Sequence, residues 1–271
     1  MTLGNTLKRI LVSIAAIPLV LAICYFGKLY FLVFILGIGT LAFYEFSNMS
    51  LNKNNKRSLV IGTSSVAAVI LNSYFHFAEF YALILIIILL LTLAELFRNK
   101  ESAINNLGSS LLGIFYLGFF SSSILNIREY FPGDNYATGG YLIISILATI
   151  WICDSAAFFV GTAIGKHKLF PRVSPKKSWE GAIAGFIFSI AAMIAAKFII
   201  LDVLTLTDAI IIGLIVGVFG QVGDLIESLL KRDAGIKDSS QIIPGHGGIF
   251  DRFDSLIYTA PIIFLYLNFF Y

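Results

Sequence analysis

Residues 209–254 read AIIIGLIVGVFGQVGDLIESLLKRDAGIKDSSQIIPGHGGIFDRFD. The stretch opens as hydrocarbon, and with its neighbours it is long enough to cross a bilayer, since a spanning helix needs about 20 apolar residues. From Ser228 onward it turns into basic, acidic, glycine and histidine residues. Charged side chains close to a bilayer are costly and by default mark a functional site. The rest of the chain is therefore read from a membrane-crossing helix that ends in concentrated polar chemistry.

The same apolar texture fills most of the 271 residues, of which 58% are hydrophobic and 13% charged, with a mean hydropathy of +0.89. That balance lies far outside a soluble domain. The expected class is an all-α, polytopic integral membrane protein. Hydropathy marks nine spans, roughly 10–26, 29–46, 59–75, 80–97, 107–127, 141–164, 181–201, 209–230 and 255–271. The first follows Lys8 and Arg9 like a signal peptide, but no small-x-small cleavage site comes after it, so it reads as a retained span. Cys24 and Cys153 fall inside apolar windows and give no ground for a disulfide.

A net charge of +3 says little until the charges are sorted by side. With a cytoplasmic N-terminus, the inner segments hold Lys8, Arg9, Lys53, Lys56, Arg57, Arg98, Lys100, Lys166, Lys168, Arg172, Lys176, Lys177, Lys231, Arg232, Lys237 and Arg252, or 16 of the 19 basic residues. Lys28 and Arg128 stay outside, and Lys197 can snorkel from the seventh span. The positive-inside rule then predicts N-in and C-out. Residues 1–140 are expected to be mainly scaffold helices, with Glu45 and Glu95 near their cytoplasmic ends. Residues 141–271 are expected to form the catalytic half, with cytoplasmic loops 165–180 and 231–254.

Three constellations carry the polar chemistry. Ser174-Pro175-Lys176-Lys177-Ser178-Trp179-Glu180-Gly181 precedes the seventh span, where lysines, hydroxyls and a helix N-terminus suit a polyphosphate. A solvated basic loop drawn to anionic lipid, at about 1 kcal/mol per charge, would use the same residues. The acids form the second set: Asp154 midway along the sixth span, Asp224 and Glu227 one helical turn apart in the eighth, and Asp251 and Asp254 flanking Arg252. Carboxylates converging from separate helices suit Mg2+, which takes one or two of them and completes its shell with water and phosphate oxygens. Mutual neutralisation with Lys231, Arg232 and Arg252 is the plainer account of the same acids. The third set is Pro244-Gly245-His246-Gly247-Gly248, whose glycines let backbone amides approach an anion. His246 there fits charge stabilisation better than proton abstraction, because a phosphate monoester is already largely ionised near neutral pH. His76 and His167 read as ordinary loop residues. GxxxxGK[ST], a GxGxxG after a strand, GxSxG and HExxH are all absent.

Ser228, Lys231, Arg232, Lys237, Asp238, Ser240, Ile243, Pro244, His246, Gly247, Gly248, Ile249, Asp251, Arg252, Phe253 and Asp254 satisfy each fixed position of one long signature. On these residues the chain resembles the phosphatidate cytidylyltransferases, or CDP-diacylglycerol synthases. The SPKKSWEG loop and Cys153-Asp154-Ser155-Ala156-Ala157-Phe158 are similar to family segments as well, whereas the N-terminal half agrees in hydropathy alone. The resemblance implies that CTP and phosphatidic acid give CDP-diacylglycerol and pyrophosphate. It implies Asp224, Asp251, Asp154 and Asp254 as candidate Mg2+ ligands, with a second cation among the acids and phosphates. Lys231, Arg232, His246 and Arg252 would then act on the reacting phosphates, and Ser174, Lys176, Lys177, Ser228, Lys237, Gly247 and Gly248 would bind substrate. The implied partners are the two substrates, the bilayer of the inner membrane and a second copy of the chain; no nucleic acid is expected.

Two other classes fit some of these residues. A cation-coupled transporter would use Asp154 and Asp224 as an ion path, but its polar groups would sit near the midplane with access to both sides. A polyprenol or phytol kinase would share the metal and basic-loop logic without the complete Ser228 to Asp254 signature.

Overall fold

Within hydrocarbon every backbone N–H and C=O must find its partner inside the protein, so apolar windows of this length fold as helices. The computed structural model describes residues 3–50, 56–98, 102–240, 242–243 and 247–271. Its helices are α1 (Leu3–Phe26), α2 (Lys28–Ser50), α3 (Lys56–Phe75), α4 (Phe80–Leu96), α5 (Ala103–Arg128), α6 (Tyr136–Ile164), α7 (Trp179–Ile199), α8 (Leu206–Asp233) and α9 (Phe250–Phe270). The chain is a polytopic, helical membrane protein: α2, α5, α6, α7, α8 and α9 are each long and apolar enough to cross a membrane. The windows Ile14–Phe26, Leu59–Phe75 and Phe80–Leu96 form shorter apolar helices.

Two features depart from the hydropathy reading. Residues expected as the loop 165–180 contain an antiparallel hairpin, β1 (Lys168–Phe170) with β2 (Ser174–Ser178). Strand β2 runs straight into α7, where Ser178 caps the helix by accepting from Gly181 N at 3.2 Å. The expected loop 231–254 is shorter, because α8 continues to Asp233 and α9 begins at Phe250. Hydropathy stops at a charge, whereas a helix continues through charges that have somewhere polar to point. Asp251 and Asp254 therefore sit in the first turns of α9.

Helices α6 and α7 make the most extensive helix pair, and α7 then packs on α8. Small residues allow this approach: a Cβ on Gly181 would lie 2.5 Å from Ala157 O, and one on Gly213 would lie 2.7 Å from Ile190 Cα. Ser189 Oγ donates to Gly213 O at 2.9 Å across the second pair. Both α5 and α8 contain a π-helical turn, at Ile114–Phe119 and Val216–Gly220.

The N-terminal helices are fastened at one end by Arg128, which is fully buried. Its Nε and Nη2 donate to Cys24 O at 2.6 Å and Tyr25 O at 2.7 Å, carbonyls that the end of α1 cannot satisfy itself, and Nη1 reaches Tyr136 O at 3.1 Å. Phe31, Ile35, Phe43, Ile70, Leu117, Ile124 and Phe250 are buried in the core that joins α2, α3, α5 and α9. This packing brings the far end of α2 against the start of α9.

Candidate functional site

A cavity of about 580 Å³ opens between α6, α7, α8, α9 and the hairpin. Six acidic side chains line it, Asp154, Asp224, Glu227, Asp238, Asp251 and Asp254, against four basic ones, Lys176, Lys177, Lys231 and Arg252. Apolar residues Leu147, Ile150, Trp151 and Phe158 of α6 form another part of the wall. Residues distant in sequence thus meet in a pocket with a charged floor beside a hydrocarbon wall.

The acids divide into two groups by their partners. One oxygen each from Asp224, Glu227 and Asp254 lies within 4.8 Å of the others. Glu227 is 1% exposed; its Oε2 pairs with Lys231 Nζ at 2.5 Å, and its Oε1 has no hydrogen-bond partner among the described residues. A buried carboxylate oxygen without a donor is costly unless a cation completes it. Three carboxylate oxygens this close together, from a set that includes Glu227, fit a hard divalent ion. Asp224 Oδ2 meanwhile meets Lys177 Nζ at 2.6 Å, so a lysine of the hairpin reaches directly to this cluster.

Asp251, expected as a ligand, is engaged differently. Its Oδ1 receives Lys231 Nζ at 2.7 Å, and its Oδ2 receives Ser239 Oγ at 2.9 Å, Ser239 N at 3.1 Å and Gly248 N at 2.9 Å. It anchors the segment before α9 and holds Lys231 between itself and Glu227. The side chain of Lys231 is only 12% exposed, so this is a buried acid-base-acid arrangement. Asp154 lines the cavity from α6, outside the three-oxygen cluster.

Other residues singled out from the sequence stand around the cavity. Lys176 and Lys177 line it, as does Arg252. Ser174 pairs with Phe170 at the far end of the hairpin. Ser228 Oγ donates to Asp224 Oδ1 at 3.3 Å. Arg232 faces backbone, with Nε donating to Val173 O at 3.4 Å and Nη1 to Ile236 O at 3.1 Å, and so links the hairpin to the segment after α8. Lys237 is exposed on that segment. Gly247 adopts φ +89°, a conformation that favours glycine, and its carbonyl accepts from Ile243 N at 3.0 Å. Pro244, Gly245 and His246 lie outside the described residues. Glu180 leaves the cavity to the lysines: its carboxylate accepts from His167 N at 3.2 Å and contacts His167 Nδ1 at 2.7 Å, closing the hairpin base.

Glu227 was read as part of the acidic set, on its three-residue spacing from Asp224, but not among the named ligands. One participant was not expected: Glu45 of α2, which is fully buried. Its Oε1 accepts from Ser240 Oγ at 2.5 Å and Ile249 N at 2.9 Å, and its Oε2 from Ser239 Oγ at 3.0 Å and Phe250 N at 2.8 Å. An acid in the last turns of an otherwise apolar helix was the only hint in the sequence.

The chain has close relatives of known name. The model described as the cytidylyltransferase family matches residues 7–270. A protein of Bacillus subtilis (strain 168) named "Phosphatidate cytidylyltransferase" is 34% identical, covering 97% of this chain and 98% of the relative. Proteins of the same name from Staphylococcus saprophyticus and Brucella suis biovar 1 are 31% and 32% identical, over 94% and 97% of this chain and 96% and 94% of their own lengths.

Proposed function

The chain belongs to the cytidylyltransferase family and is a cytidylyltransferase enzyme of phospholipid biosynthesis, and from that premise we propose that it transfers the cytidylyl group of CTP to phosphatidic acid, releasing CDP-diacylglycerol and pyrophosphate. The observation that carries the proposal is the cavity in which Asp224, Glu227 and Asp254 converge beside Lys177, under an apolar wall from α6. A triphosphate needs cationic partners, a lipid phosphate needs a route for its tails, and this pocket offers both.

In the proposed reaction a phosphate oxygen of phosphatidic acid attacks the α phosphorus of CTP in line. The new P–O bond forms as the bond to the β phosphate breaks, and the electron pair leaves with pyrophosphate. No base has to remove a proton, because the lipid phosphate is already largely ionised near neutral pH. Catalysis is then positioning and charge neutralisation. A Mg2+ ion, with a second cation in the same acidic patch, would supply charge neutralisation and orientation of the phosphates. Asp224, Glu227 and Asp254 would hold the ion, with Asp154 beside them. Ser174, Lys176 and Lys177 would bind the triphosphate, and Lys177 would exchange Asp224 for phosphate oxygens. Lys231 and Arg252 would hold the lipid phosphate and the transferred group, each contact contributing about 2 to 4 kcal/mol to the transition state. Asp251 fixes the ammonium of Lys231, while Arg232 ties hairpin to loop. His246, with Gly247 and Gly248, would add charge stabilisation, and Ser228 and Lys237 would assist substrate binding.

The finer topology belongs to the same proposal. Nine crossings with the N-terminus inside would set the hairpin and the segment before α9 on the cytoplasmic face of the inner membrane, where CTP is available. Diacylglycerol tails would remain in the bilayer and enter laterally past Trp151 and Phe158, which line the cavity and are also exposed. Residues 1–140 would serve mainly as scaffold and 141–271 as the catalytic half, in a homodimer. The test is purified protein in detergent with Mg2+ and CTP, with and without phosphatidic acid, following pyrophosphate and the CDP-lipid. Product that requires both substrates and disappears on chelation is expected. Folded protein that forms no CDP-lipid would overturn the proposal.

A further inference from the structure

Glu45 accepts four hydrogen bonds, all from Ser239, Ser240, Ile249 and Phe250, at 2.5 to 3.0 Å. These donors bracket the segment whose glycines and acids form the signature, yet Glu45 belongs to α2, among the helices read as scaffold. Ser239 Oγ is shared between Glu45 Oε2 at 3.0 Å and Asp251 Oδ2 at 2.9 Å. Asp251 in turn fixes Lys231 Nζ at 2.7 Å, and Lys231 meets Glu227, the most deeply buried member of the acidic cluster. A continuous polar path therefore runs from α2 to the reacting groups.

Space around Glu45 is as constrained as its bonds. A Cβ on Gly248 would lie 1.9 Å from Ser239 Oγ and 2.6 and 2.7 Å from the two Glu45 oxygens. The backbone at Gly248 passes so close to the carboxylate that a side chain there would displace Ser239 Oγ and the Glu45 oxygens. A lipid-facing helix has no use for a fully buried carboxylate, and a mere helix cap needs only one or two donors. Glu45 instead collects four donors, two from each end of the loop.

We infer that Glu45 is a positioning residue for cytidylyl transfer: through Ser239 it fixes Asp251 and hence the ammonium of Lys231 against the acidic cluster, without touching substrate. The inference rests on the proposed function. The hairpin lysines that would bind CTP have no bond to Glu45, so disturbing it should lower turnover and leave nucleotide binding alone.

The experiment compares wild type, Glu45→Gln and Ser239→Ala in detergent by steady-state kinetics and by amide hydrogen exchange. Glu45→Gln keeps the shape but turns one acceptor into a donor facing the N–H of Ile249 or Phe250. Expected are a kcat at least tenfold lower and a KM for CTP within twofold of wild type. Exchange should rise over residues 239–250 while the amides of α3 and α5 stay protected. Ser239→Ala removes the hydroxyl shared by Glu45 and Asp251 and leaves the other three donors to Glu45 in place; it should show the same kinetic split, and it decides the matter if Glu45→Gln does not fold. Wild-type kcat in either folded variant would overturn the inference. So would a kcat loss with KM rising in step, or loss of protection spread evenly over all helices. If wild type itself makes no CDP-lipid, the proposed function fails, and the hold of Glu45 on the loop is judged from exchange alone.

Discussion

Lys231→Met offers a direct measure of the buried charge arrangement. The side chain of Lys231 is 12% exposed and bridges Glu227 at 2.5 Å and Asp251 at 2.7 Å, carboxylates that are 1% and 6% exposed. Methionine keeps an unbranched side chain one atom shorter but removes the only basic group paired with either acid among the described residues. Removing one partner of a buried ion pair costs about 3 to 5 kcal/mol, because the remaining charge is left uncompensated. Both acids lose their counter-charge, although Asp251 keeps its hydrogen bonds from Ser239 and Gly248, so the loss should lie within that range. Adding Glu227→Gln to Lys231→Met should recover a large part of it, since an amide leaves one stranded charge fewer. The assay is equilibrium unfolding of the four proteins of this double-mutant cycle in mixed detergent and dodecyl sulfate micelles without added metal. A loss below about 1 kcal/mol for Lys231→Met, the level of an exposed pair, would refute the reasoning. So would a double variant no more stable than the single one.

Asp224→Asn should reduce formation of the CDP-lipid at least a hundredfold, while the midpoint of thermal unfolding barely moves, because its pair with Lys177 is partly exposed. Any activity remaining in Asp224→Asn should need a higher Mg2+ concentration for half-saturation than wild type does, measured by titrating the metal into chelator-treated protein. Gly248→Ala should abolish turnover, since the added methyl overlaps Ser239 Oγ and the Glu45 carboxylate; a variant with near-wild-type kcat would show that the segment can retreat from α2.

The helices were legible because hydrocarbon allows few alternatives: the nine hydropathy windows and the nine described helices differ by only a few residues at most ends. The starts of α1, α6 and α9 differ most, by five to seven residues, and that of α9 misled because Asp251 and Arg252 look like loop when their partners are unknown. Lys231 of α8 and the amide of Gly248 make helix affordable there. At the site, Asp224, Lys177, Lys231 and Arg252 were recognisable as charges without a lipid-facing use. The division of labour among the acids was not, because it depends on which oxygens already have donors. Asp251 has several and, among the described residues, Glu227 Oε1 has none. Glu45 was hidden for a different reason: its donors are 194 to 205 residues away, and no local pattern encodes a contact of that range.

The π turn at Val216–Gly220 sets the phase of everything beyond it in α8. Such a turn is equivalent to one residue inserted into an α-helix. Deleting a residue there would restore regular winding and rotate the following turns by about 100°. The half of α8 before the turn would stay seated on α7 through Gly213 and Ser189, while Asp224 and Glu227 swung out of line with Asp254. One extra amino acid, chemically inert and itself in an apolar stretch, thus separates a plain membrane anchor from a helix that can share a cation with its neighbour.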